Sequence, residues 1–373
     1  MTLVTHGYAA AEYESHLTHR QALAERLGDK TQLFYSLVGM SILSAFRHEL
    51  GRAREIGENL IKLSDQADDP RMQLQAHASL ANILYQMGDF IGSRVHLEKG
   101  IALFERGDIL APGEEHWRAA CLLYSCLCTV ALGFPDDALR QALEFLNFAR
   151  RRAEPLLLAV ALNCASSVYL WRGEGAEGLK HAEALEALTV EHGFTYWRLL
   201  AHLVRGQALT ILGKYEEAIV ETNGAIGSLE ATGAAVSSWQ YADLGFAYLT
   251  ARHPSEGLSV VRHALQAGDR TGDAQSKPEL HRLEGELLLM LDPTATGIVE
   301  VSFRAAVDTA RKQLARFPEL RATVSLARLL RDTNRRDEAR AMLTEIYNWF
   351  TEGFDTADLK DAKKLLEELS ERS

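Results

Sequence analysis

With 47% hydrophobic and 24% charged residues among 373, the chain has the composition of a folded protein, not a disordered one. A net charge of −11 argues against a surface that grips nucleic acid phosphates. Four cysteines (Cys121, Cys126, Cys128, Cys164) make no disulfide framework and fit a reducing cytoplasm, and no apolar run approaches the roughly 20 residues that span a bilayer.

The N-terminal MTLVTHGYAAAEYESH lacks the basic-then-apolar pattern of a secretory signal. Only 8 prolines occur, and Ala, Leu, Glu and Arg are plentiful, which favours helix throughout. From about Ala9 to Leu27 the spacing predicts one helix with Leu17, Ala22, Leu23 and Leu27 on a face, stopped at Gly28-Asp29. This helix has no partner before it, so it is either an N-terminal cap or the second half of a hairpin whose first helix lies in a longer protein.

From Thr31 to Phe350 a small residue returns about every forty positions, at Ser41, Ala81, Cys126, Ser166, Gly206, Gly245, Gly285 and Ala327. A second small residue follows each twelve places later, at Ala53, Ser93, Ala138, Gly178, Ala218, Gly257, Gly297 and Ala339. Five places before the second series stand His48, Gly88, Gly133, Gly173, Gly213, Arg252, Asp292 and Asn334, mostly residues that tolerate a helix-ending turn. The pattern is helix, turn, helix, with the small residues letting helices approach. The one long gap, between Ala81 and Cys126, is filled by the polar loop Gly107–Glu115. From Asp355 or Thr356 to Glu371 a last helix, with Leu359, Ala362, Leu365, Leu366 and Leu369 on one side, covers the final hairpin.

The fold expected is all-α: one right-handed superhelical solenoid of about eight hairpins with capping helices at both ends, a single domain over 1–373 (1–30 N-terminal helix, 31–350 hairpins, 351–373 cap).

Gly206, Gly213, Tyr215 and Ala218, and again Gly245, Tyr248 and Gly257, resemble a tetratricopeptide repeat of longer than usual period. Three strings are more specific: Gly7–Ala10 with Gly28–Phe34, Glu279–Leu289 (ELHRLEGELLL) and Trp349–Leu359 (WFTEGFDTADL). Together they resemble the C-terminal repeat region of large bacterial signalling proteins that place a nucleotidyl cyclase domain and a P-loop ATPase ahead of the repeats. The resemblance implies a sensor or scaffold arm, with ATPase or cyclase domains upstream in a longer protein. No G-x-x-x-x-G-K-[ST] loop occurs, so none of that chemistry falls on this chain, and no catalytic, metal or cofactor role is assigned.

In tetratricopeptide solenoids the first helices line the concave face at fixed offsets from the small residue. Those offsets give Tyr35, Gln75, Asn82, Tyr85, Leu123, Leu127, Asn163, Ser167, Gln207, Trp239, Phe246, Glu279, Arg282, Arg321, Arg328 and Arg331, with Trp171 one place further. The middle of this set is aromatic with amides, and its C-terminal end is rich in arginine. Aromatic anchors with a few polar groups suit a peptide; the same side chains also serve packing against facing helices. Two functions follow: a non-enzymatic scaffold or sensor arm of a bacterial signalling or transcriptional system that binds a protein segment in an open groove, or a small-molecule sensor with a closed pocket around Leu123, Leu127, Asn163, Trp171 and Trp239.

Other polar groups take plainer readings. Cys121, Cys126 and Cys128 scatter around one helix and read as core cysteines. His16 and His19 read as solvated, His281 with Glu284 as an inter-helix network, Arg150–Arg152 as a solvated helix end, and Trp117 and Trp197 as structural.

Overall fold

The computed structural model describes residues 11–105 and 115–371. Gly7–Ala10 of the first string, Ala9 at the expected helix start and most of the Gly107–Glu115 loop lie outside the described residues. Among the described residues there are 18 helices and no strand. Helix α1 (Ala11–Leu27) stands first. Pairs follow: α2 (Lys30–Phe46) with α3 (Leu50–Ala67), α4 (Pro70–Gln86) with α5 (Phe90–Glu105), α6 (Glu115–Ala131) with α7 (Pro135–Arg152), and α8 (Pro155–Trp171) with α9 (Gly175–His192). Then come α10 (Thr195–Ile211) with α11 (Tyr215–Ala231), α12 (Ser238–Thr250) with α13 (Pro254–Thr271), α14 (Lys277–Leu291) with α15 (Thr296–Lys312), α16 (Arg316–Asp332) with α17 (Arg336–Tyr347), and α18 (Ala357–Ser370). No described helix is long and apolar enough to cross a membrane.

Local chemistry sets these boundaries. Asp29 caps α2 through the Gln32 amide at 3.0 Å, and Asp69 caps α4 through Arg71 at 2.8 Å with Pro70 in the first turn. Between the helices of a pair, His48, Gly88, Gly133, Gly173, Gly213, Arg252 and Asn334 all adopt positive φ. That left-handed residue frees the chain to reverse while its amide bonds back to the helix end. Asp292 does not follow; it is extended at φ −141°, and its carboxylate instead holds Thr294.

The small residues do the packing the spacing implies, with one exception. Ser93 Oγ donates to the Ala81 carbonyl and Ser166 Oγ to the Gly178 carbonyl, both at 2.8 Å, so paired helices meet backbone to side chain. A Cβ on Gly206 would fall 2.2 Å from Thr222 Oγ1 and 3.4 Å from the Ala218 carbonyl. Gly297 is the correction: it is exposed, and a Cβ there would meet nothing within 4 Å. The extended Asp292-Pro293 turn shifts the register of α15, so Phe303 is the residue that fills the space over Gly285. In α1 only Leu17 of the expected face is buried; Ala22, Leu23 and Leu27 face out, and Ala24 takes the inner position. Cap α18 buries Leu359, Ala362, Leu365 and Leu369, with Leu366 partly covered.

The superhelix closes on itself. After about five hairpins the chain returns to its own first turn, and four seams join the two turns. The Ala235 amide donates to the Phe46 carbonyl at 2.9 Å. Next, Ala274 and Gln275 both donate to the Gln86 carbonyl, and the Gln313 side chain reaches the Ala274 carbonyl at 2.7 Å. Third, Trp349 lies against Phe134 and over Gly133, where a Cβ would fall 2.6 Å from the ring. Beside it, Glu352 accepts from the Asp136 and Asp137 amides, the uncapped N-terminus of α7. Last, the buried Arg172 guanidinium pairs with Asp136, Glu174 and Asp355. The WFTEGFDTADL string is thus the clasp that ends the second turn on the first.

Candidate functional site

Because the two turns touch, the concave face is walled, and it holds a partly open cavity of about 630 Å³. Residues from Ala45 to Asp361 contribute to its wall. Its size falls within the roughly 300–1,000 Å³ of sites that enclose small ligands.

Asn82, Tyr85, Leu123, Leu127, Asn163, Ser167, Trp171, Gln207, Trp239, Phe246, Glu279, Arg282, Arg321 and Arg328 line it. Tyr35, Gln75 and Arg331 do not: Tyr35 packs edge-on against Phe34, Gln75 is buried within α4, and Arg331 pairs with Asp332 and Glu368. The offset six before the small residue, which reaches the cavity at Trp239, Glu279 and Arg321, misses it in the first two hairpins, where the wall begins at Ala45. Tyr124, Tyr196, Gln240, Gln275, Asp243, Asp358 and Asp361 also line the cavity and were not singled out in the sequence. Tyr124 and Asp243 share one offset, two residues before the small position. A carboxylate in the otherwise apolar WQYADLGFAYL is the signal that could have found Asp243.

The wall has an apolar and a charged side. On the first, Tyr85 and Tyr124 lie 5.3 Å apart by ring centroid, and burial pushes both phenols well above their usual range. Asn163 lines the same cavity with 9% of its surface exposed, and its Oδ1 finds no donor among the described residues. A buried acceptor without a partner costs about 1–3 kcal/mol, which a ligand N–H would recover.

On the charged side every arginine is already paired. Arg282 forks onto Glu279 at 2.5 and 3.0 Å and Arg321 onto Asp358 at 3.0–3.1 Å, and Arg328 donates one hydrogen bond to Asp361 at 2.6 Å. Arg321 also donates to the Trp171 carbonyl at 3.1 Å and stacks over the Trp171 ring. Burial pushes Glu279 up, but Arg282 and then Arg321 outweigh it and hold the carboxyl below its usual range. The arginine-rich end read from the sequence is therefore not a free positive surface. Its guanidiniums are neutralised by acids on α14 and on the cap α18.

The remaining sequence candidates lie elsewhere. Cys121, Cys126, Cys128 and Cys164 are buried, burial pushes the Cys121 and Cys128 thiols up to about 12, and no group of three or more metal-ligating side chains forms among the described residues. His16 and His19 are exposed on α1. Glu284 is held by Arg262 at 3.1 Å, with His281 at 4.0 Å. Arg152 lies over the Phe148 ring, and Trp117 and Trp197 pack against core clusters.

No protein-family model matches the chain, and no curated protein matches it. Solved structures do. A Rap protein complexed with Competence and Sporulation Factor superposes with a TM-score of 0.66 at 12% identity, over 99% of this chain and 96% of that one. NprR in complex with its cognate peptide NprX gives 0.53 at 13%, over 77% and 88%. The fold is a tetratricopeptide-like solenoid. A signal transduction ATPase with a tetratricopeptide repeat sensor from Pyrococcus horikoshii gives 0.41 at 14%, over 93% of this chain and 46% of that one, too distant to argue from.

Proposed function

We propose that the chain is the non-enzymatic recognition arm of a bacterial signalling or transcriptional system, and that it binds a short peptide segment inside the walled cavity. The observation that carries the reading is the buried Asn163 amide, on the wall of an aromatic-lined cavity with its oxygen unpartnered among the described residues. A peptide backbone N–H is the donor that position asks for, and Trp239, Phe246 and Tyr85 supply apolar walls for side chains. Asn82 and Gln207 add amides along the same face. In support, the Rap and NprR structures named above, with TM-scores of 0.66 and 0.53, were each determined with a bound partner, one of them described as a cognate peptide. The seams favour an occupant of a few residues over a long chain threaded through an open groove, and the same closure supports the second reading, a small-molecule inducer.

An array of end-blocked hexapeptides tests this. A subset should be retained by the wild-type chain at micromolar concentration and lost by the Asn163→Ala/Trp239→Ala double variant, whose circular dichroism stays helical. Retention of no peptide, or undiminished retention by the double variant, would overturn it.

A further inference from the structure

Resting on the cavity reading above, we infer that Asp243 is the anchor for a positively charged group of the bound segment, an ammonium or a guanidinium. The charged residues lining the cavity besides the His48 ring are four carboxylates (Asp243, Glu279, Asp358, Asp361) and three guanidiniums (Arg282, Arg321, Arg328). Each guanidinium has taken one carboxylate: Arg282 with Glu279, Arg321 with Asp358, Arg328 with Asp361. Asp243 is left over. Among the described residues it makes no hydrogen bond and no ion pair, although it lies on the cavity wall between the apolar neighbours Ala242 and Leu244 of α12.

The geometry of the neighbours keeps it so. Arg321 is the one cation that acts on Asp243 electrostatically, but its Nε and Nη2 are spent on Asp358 and on the Trp171 carbonyl. Arg282 has its Nε and Nη2 on Glu279 and turns Nη1 toward Glu286 at 3.7 Å. Turning either arginine toward Asp243 would strip another carboxylate of its partner, at a cost comparable to the gain. Burial pushes the Asp243 carboxyl well above its usual range, Glu279 pushes it further, and Arg321 opposes both. A cation within hydrogen-bond distance favours the ionised form and so opposes the effects of burial and Glu279.

A second, independent observation lies on the same cavity wall: Asn163, more than nine-tenths buried, has an Oδ1 with no partner among the described residues. An amide oxygen and a carboxylate are both acceptors, so the wall asks its ligand for donors. A segment with one cationic group and a free backbone N–H satisfies both, and an acidic segment satisfies neither.

The test uses the full chain and end-varied hexapeptides carrying Lys, Arg, Gln, norleucine or Glu at each position in turn, every peptide made with a free and with an acetylated N-terminus. Wild type should retain Lys or Arg peptides about tenfold or more tightly than their Gln counterparts at one position, the size of one charge-assisted hydrogen bond. If the preference tracks the free N-terminus instead, the terminal ammonium is the cation, and the inference stands. Asp243→Asn, an isosteric change, should reduce the preference to less than about twofold while Gln peptides are still retained; Asp243→Glu should keep part of it. Indifference of the wild type to charge, preference for Glu peptides, or a full preference in Asp243→Asn overturns the inference while leaving the cavity reading in place. Retention of no peptide of any charge overturns the cavity reading itself, and the assignment of Asp243 with it.

Discussion

Arg172 and Asp355 are 183 residues apart and joined by two hydrogen bonds of 2.9 and 3.0 Å, made by a guanidinium with only 4% of its side chain exposed. The same guanidinium holds Asp136 and Glu174, so one residue ties the α6–α7 turn, the α8–α9 turn and the approach to α18. The carboxylates are 38–69% exposed and stay solvated when the arginine is gone. Arg172→Met should therefore cost the seam and not leave a buried charge, about 1–3 kcal/mol in urea unfolding. An unchanged midpoint would show that the clasp adds nothing to stability.

Gly206 and Gly297 should respond in opposite directions. At Gly206 a new Cβ meets Thr222 Oγ1 at 2.2 Å, and Gly206→Leu forces α10 from α11, at a cost of about 1–3 kcal/mol or more. At Gly297 the space is open and φ is not positive, so Gly297→Ala leaves stability unchanged or raises it by up to about 1 kcal/mol. Thermal melting of the two variants side by side checks the packing alignment; a loss at 297 or none at 206 would refute it.

Stability should fall as the solution is acidified below neutrality. His77 is 8% exposed, and burial, His96 and Lys99 lower its pKa to about 4 from the ordinary 6.5. Because the folded-state pKa lies below the unfolded one, the unfolded chain binds the proton first, and stability is lost as the pH drops from about 6.5 toward 4. His48 and His96 are lowered as well, chiefly by burial, and act in the same direction. His77 alone accounts for at most about 3 kcal/mol. Urea midpoints at pH 7.5 and 5 should show His77→Gln losing less than wild type; equal losses would remove His77 from the account.

Thr356 caps α18 from a fully buried position, donating to the Gly353 carbonyl at 2.7 Å while its Oγ1 faces the Leu359 amide at 3.5 Å. Thr356→Ala should cost about 1–2 kcal/mol, and Thr356→Ser should recover most of it. Amide exchange across α18 reports this directly: it should quicken in the alanine variant and stay slow in the serine one.

The hairpins were legible because everything that makes one lies within about forty residues: the small residue, the left-handed turn and the second small residue. Register failed only where Asp292-Pro293 replaced the left-handed turn with an extended one, and Gly297 slid out to solvent. In α1 the face was misread because, among the described residues, it packs chiefly against α2, and Leu17 with Ala24 suffices for that contact. The middle of the cavity could be read by offset, since repeated geometry places Asn82, Ser167 and Gln207 alike, each one residue after its small position. The seams could not. Glu352 reaches Asp137 across 215 residues, and no local pattern says that WFTEGFD will cap a helix in another turn. The neutralisation of Arg321 and Arg328 was missed for another reason: their partners stand only 37 and 33 residues on, but in the capping helix, which carries no repeat offset to read them by.

Closure across the seams also imposes an order of events on synthesis. His48 emerges 189 residues before Ser237, its partner at 3.1 Å. At roughly 5–20 residues per second that interval is on the order of 10–40 s. Through it the first three hairpins exist only as a growing open spiral, with the Gln86 carbonyl solvated and Gly133 uncovered. The chamber is completed later still, when Trp349, Glu352, Asp355 and the helix after them arrive. Residues 349–371 leave the ribosome after every hairpin they close upon, and they are the ones that turn a ramp into a vessel.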